Sequence, residues 1–63
     1  MSDITIRTYE VTLTSPLLAG PLVVELIASS PKAAMARTRH YAFHDYKCAD
    51  MLTADCVAVD ITP

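Results

Sequence analysis

The sequence predicts a small α+β domain of order β-β-α-β, with a three-stranded antiparallel sheet in the order 2-1-3 and one helix packed on one face. Three observations predict it. Ser30-Pro31 opens the only stretch with helical character, which runs through residues 31–48. On either side lie segments dense in β-branched residues that alternate with the period of a strand. The helix also separates the second strand from the third, so those two run the same way, and placing the third beside the first gives an antiparallel sheet.

The first strand is expected over residues 4–13, where Ile4 and Ile6 fall on even positions and Tyr9, Val11 and Leu13 on odd ones. That slip predicts either a bulge near Arg7-Thr8 or a central strand with both faces partly covered. Ser15-Pro16 and Gly20-Pro21, which contain the chain's one glycine, bracket Leu17-Leu18-Ala19 and mark a turn. Leu17 and Leu18 are expected to fold back over an edge of the core. A second strand follows at 22–28, and the short loop before it favours a hairpin.

Ser30 is placed to cap the helix and Pro31 suits its first position, where no amide partner is needed. At 100° per residue, Met35, Thr38, Ala42 and Tyr46 share one side, with Ala34, Tyr41 and Asp45 beside them, and this side is expected to face the sheet. Small residues at 34, 38 and 42 would allow close approach, with Met35, Tyr41 and Tyr46 filling the margins. Arg37, His40, His44 and Lys47 line the opposite side, and Phe43 lies off the buried face. After a connector at 50–53, residues 54–61 alternate as a third strand, with Val57, Val59 and Ile61 expected on the core side.

Sixty-three residues make one domain, 1–63, and so short a chain buries only about 60% of its unfolded surface, which argues against a deep catalytic cleft. A content of 52% hydrophobic and 19% charged residues favours a folded chain over a disordered one. No apolar run reaches the roughly 18 residues of a membrane span, so no membrane partner is expected. Met1-Ser2-Asp3-Ile4-Thr5 lacks the basic start and apolar core of a secretory signal, which makes the cytoplasm the expected location. Cys48 and Cys56 are too few for a disulfide framework and fit free thiols that pack as small apolar groups.

Charge is unevenly distributed. Lys32, Arg37, Arg39 and Lys47 oppose only Asp45 within 31–48, whereas Arg7 stands against Asp3, Glu10, Glu25, Asp50, Asp55 and Asp60 in the remainder. A basic helix therefore lies on an acidic sheet. His40 and His44 have the one-turn spacing that lets two imidazoles share a metal, but the glutamate-containing helix motif of metallopeptidases is missing, and surface histidines are the expected reading. Cys48 four residues after His44 has no orienting third group, and one glycine makes no phosphate loop. Neither an enzyme nor a cofactor is expected.

The passage Glu25-Leu26-Ile27-Ala28-Ser29-Ser30, followed by Pro31-Lys32-Ala33-Ala34-Met35-Ala36-Arg37, resembles small phage and prophage proteins in which a strand leads into an alanine-rich, arginine-containing helix. At the level of architecture, the short acidic chain is similar to some anti-CRISPR proteins. The resemblance implies a stoichiometric, non-enzymatic inhibitor that binds a bacterial defence complex in the host cytoplasm. Such inhibitors share no functional residues, so none is carried over, and the basic helix departs from members that mimic DNA with an acidic surface.

The residues themselves point to a protein-interaction module. Arg37, Arg39, His40, His44 and Lys47 supply charged contacts, with Tyr41 and Phe43 as anchors, because arginine and aromatic side chains dominate binding hot spots. The partner is expected to be a protein, with a host nucleoprotein complex as the leading case. Nucleic acid contacted through the same helix is the alternative, which the overall acidity disfavours. A third reading is an accessory subunit that forms a homodimer through the uncovered face of its sheet.

Overall fold

The computed structural model describes residues 6–63, and its elements follow the predicted order. Strand β1 spans Arg7–Thr14, β2 spans Leu22–Ala28, helix α1 spans Pro31–Tyr46, a 3₁₀ helix spans Ala49–Thr53, and β3 spans Asp55–Asp60. The sheet order is β2-β1-β3, and both pairings are antiparallel. Ile4, part of the predicted first strand, lies outside the described residues.

Local chemistry accounts for the helix boundaries. The Ser30 hydroxyl accepts the Ala33 amide at 3.1 Å and the Ser30 carbonyl accepts the Ala34 amide at 3.0 Å, with Pro31 at the first helical position. At the far end Lys47 adopts φ 52° and ψ 42°, a left-handed conformation that stops the helix one residue after Tyr46. The helix is therefore slightly shorter than the predicted 31–48, because Cys48 is already extended and leads into the 3₁₀ turn.

Pairing is unbroken from Arg7 opposite Ala28 to Leu13 opposite Leu22, so of the two alternatives the bulge near Arg7-Thr8 is absent, and β1 is the central strand of the sheet. Ile6 is simply exposed, while Tyr9, Val11 and Leu13 are buried beneath the helix. The two registers arrange the helix side into three cross-strand rows: Leu22, Leu13 and Cys56; Val24, Val11 and Ala58; Leu26, Tyr9 and Asp60. Ala34, Thr38 and Ala42 lie against this surface without solvent exposure, as the small-residue spacing predicts. The Thr38 hydroxyl is satisfied by donating to the Ala34 carbonyl at 2.9 Å.

Two packing expectations are corrected. Val57, Val59 and Ile61 were placed on the core side by alternation alone, but the register puts Cys56 and Ala58 beneath the helix and leaves Val57 63% exposed. A strand with apolar residues in both rows carries no internal sign of which row is buried; the pairing with β1 decides. Tyr41 and Tyr46 are exposed instead of filling the helix margins, whereas Phe43 is half-buried. The 3₁₀ helix is what Phe43 packs against. Met51 and Ala54 are buried with Leu13 and Ala42, and Phe43, Cys48 and Leu18 pack against that cluster. Leu18 thus folds back as expected, but Leu17 stays exposed.

Candidate interaction surface

Arg37, His40 and His44 lie opposite or well off the buried 34-38-42 stripe of α1 and are exposed, as is Lys47 at the helix C-cap; Tyr41, at the margin of that stripe, is exposed as well. Tyr41 is 62% exposed and borders an open depression with Ala36, Arg37 and His40. The Arg37 guanidinium reaches over the sheet rim and donates to the Ile27 carbonyl at 2.7 Å, which holds its charge beside β2. The His40 and His44 rings meet edge-on with centroids 5.1 Å apart, and Phe43 lies 5.9 Å from His44. Arg37, Tyr41, His40 and His44 therefore form one continuous stripe.

The two remaining predicted contacts sit differently. Arg39 is half-buried and donates to the Ala54 carbonyl at 2.9 Å, fastening α1 to the segment before β3. Phe43 turns partly into the core cluster around Met51. Arg39 and Phe43 thus help to hold the helix in place, while the exposed set is His40, Tyr41, His44 and Lys47 together with Arg37, whose guanidinium is tied to the β2 rim.

Among the described residues no group of three or more His, Cys, Asp or Glu side chains is positioned to hold a metal ion. Cys48 and Cys56 are free and half-buried. Burial pushes the Cys56 thiol up from its ordinary value, with Asp55 adding to the rise and Arg39 opposing it. A protonated, partly covered thiol is the reverse of an activated nucleophile. A second open depression lies beside Thr14, Thr53, Asp50 and Asp55. No helix of the described residues is long and apolar enough to cross a membrane.

The other face of the sheet is uncovered among the described residues. Its rows are Val23, Thr12 and Val57; Glu25, Glu10 and Val59; and Ile27 beside Thr8, whose carbonyl accepts the Ile61 amide at 2.9 Å. Sequence reading foresaw an open apolar face but not the two glutamates at its middle, since their adjacency depends on the β1–β2 register. The parity of Glu10 with Thr8 and Thr12 was the available signal. Comparison with protein-family models, curated proteins and solved structures finds no match.

Proposed function

We propose that this chain is a non-enzymatic protein-interaction module that acts in the cytoplasm through the outer face of α1. The observation that carries the reading is Tyr41: an aromatic ring left 62% exposed between Arg37 and His40, on a helix whose inner stripe is already fully occupied. An exposed tyrosine flanked by cations has the chemistry of a binding anchor, and its complement is an acidic protein surface. The more specific reading, a phage or mobile-element inhibitor of a host nucleoprotein complex, is supported by the architectural resemblance to anti-CRISPR proteins.

The test is affinity capture from bacterial host extract with the natural chain and with Tyr41→Ala combined with Lys47→Glu. Both side chains are exposed, so circular dichroism should show the variant folded. A protein retained by the natural chain should be lost by at least about tenfold from the variant, equal to roughly 1.4 kcal/mol. Equal retention would eliminate the helix face. A gel shift with duplex DNA and RNA at low salt separates the nucleic-acid alternative, because phosphate contacts through the same cations would retard either probe.

A further inference from the structure

The uncovered sheet face points to an occupant of specific chemistry. Register makes Glu10 and Glu25 direct cross-strand partners, and both lie on this face with Val59 completing their row. Side chains so paired start from Cβ atoms only about 4.5–5.5 Å apart. The sole ion pair among the described residues joins Arg7 to Asp60, so neither glutamate pairs with a cation of those residues. Around the two carboxylates stand Val23, Ile27, Val57 and Val59, each more than half exposed. The patch is an apolar frame with a double negative charge near its centre.

That charge selects among possible covers. A wholly apolar surface would bury two carboxylates with no partner, which is strongly unfavourable. A second copy laid face to face would bring two such pairs together and set like charges against one another in a shielded layer. A partner with one arginine or lysine at the centre of an apolar stripe satisfies both requirements, and the guanidinium fork can bridge two neighbouring carboxylates.

Size narrows the choice further. Three strands of about seven residues make a face roughly 14 Å by 20 Å, well short of the ~800 Å² per partner of a standard interface between globular proteins. The same dimensions match one helix of about fourteen to sixteen residues and ~10 Å diameter. The chain already demonstrates the fit, since the 16-residue α1 covers the opposite face of this sheet. The geometry points to the open face of β2-β1-β3 as a docking site for an amphipathic helix of another protein, presenting a central arginine or lysine to Glu10 and Glu25 within an apolar stripe. This site is separate from the α1 stripe and goes beyond its proposed role.

The probes are synthetic stapled helices of about sixteen residues. Each carries a leucine stripe at i, i+3, i+4 and i+7 whose central position is arginine in one peptide and glutamate in the other. Each is titrated into the full isotope-labelled chain and followed by amide chemical shifts. The arginine peptide should bind at least about tenfold tighter than the glutamate peptide. Its shifts should fall on Thr8, Glu10, Thr12, Glu25 and Val59 and spare His40 and Tyr41. Glu10→Gln with Glu25→Gln, nearly isosteric and checked for folding by circular dichroism, should erase the preference; Glu10→Lys with Glu25→Lys should reverse it.

Four results overturn the inference: no saturable binding of the arginine peptide, equal binding of the two peptides, shifts confined to α1, or sedimentation showing a dimer that Val59→Asp dissociates. The Tyr41→Ala, Lys47→Glu variant should titrate like the natural chain. Loss of peptide binding in that variant also overturns the separate sheet site, whereas its loss of lysate capture tests only the helix face.

Discussion

Asp60 illustrates how much of this fold depends on single side chains near the chain's end. Its carboxylate accepts the Thr62 amide at 2.9 Å and an Arg7 guanidinium hydrogen at 3.1 Å, while the Thr62 hydroxyl accepts the Thr8 amide at 2.9 Å. Together these bonds fasten the segment after β3 to the start of β1. Hydrogen bonding from Thr62, reinforced by Arg7, holds the Asp60 carboxyl below its ordinary value of 3.8 despite an opposing desolvation effect. Since the folded state prefers the ionised form, the contribution is complete above the ordinary carboxylate range and disappears as pH falls through and below it. Asp60→Asn should therefore flatten the acid limb of a urea-midpoint titration between about pH 5 and pH 2, measured against the natural chain. An unchanged limb would show that the clip has no energetic role.

Gly20 belongs to the same scale for the opposite reason. It does not have a positive φ, and an added Cβ would meet nothing within 4 Å. Its glycine character is thus conformational freedom in the unfolded chain that the folded loop does not use. Gly20→Ala should raise stability by about 0.4–1 kcal/mol. For a domain of this size that corresponds to an increase in Tm of a few degrees, about 4–8 °C per kcal/mol. A fall in Tm would mean that the loop uses an accessible conformation other than the one described.

At the scale of elements, the strands differ in how clearly their sequences announce an inside. β1 does so because after Arg7 its odd positions are Tyr9, Val11 and Leu13 and its even ones are Thr8, Glu10, Thr12 and Thr14. β3 does not, because Cys56 and Ala58 alternate with Val57 and Val59, and the bulkier row faces outward. Opposite mutational costs follow for two residues that hydrophobicity alone would treat alike. Leu13→Ala, at a site with no exposure, should cost about 2–5 kcal/mol, whereas Val57→Thr should stay within about 0.5 kcal/mol. Denaturant midpoints of the two variants check this directly, and a large loss at Val57 would place the core on the other side of β3. Helix α1 was legible for a different reason: Ser30 and Pro31 state its start, and alanine or threonine at every fourth position from 34 to 42 states its inner stripe. Its flanks were not legible, because the 3₁₀ helix that draws in Phe43 is built from Ala49–Thr53, a stretch with no periodic pattern of its own.

On the scale of the whole molecule, the described residues form two layers, with one helix covering one face of one sheet. Among the described residues the buried apolar set is small: Tyr9, Val11, Leu13, Ala28, Ala34, Ala42, Met51 and Ala54, four of them alanines. With so little interior, a core truncation that costs several kcal/mol takes a large share of a total stability of ordinarily about 5–15 kcal/mol. Among the described residues the same thinness leaves two outer surfaces uncovered, a basic and aromatic one on α1 and an apolar and acidic one on the sheet. These surfaces are back to back, so the two proposed contacts do not compete for the same side of the molecule.

Strand and helix identity, element order, the capped helix start and the separation of basic helix from acidic sheet were determined by the sequence alone, because each rests on short-range periodicity, capping chemistry or composition. Which row of β3 is buried, where Tyr41, Tyr46 and Phe43 point, and the meeting of Glu10 with Glu25 were decided only by the tertiary structure. Those outcomes depend on strand register and on contacts between segments far apart in the chain, and no local pattern carries that information.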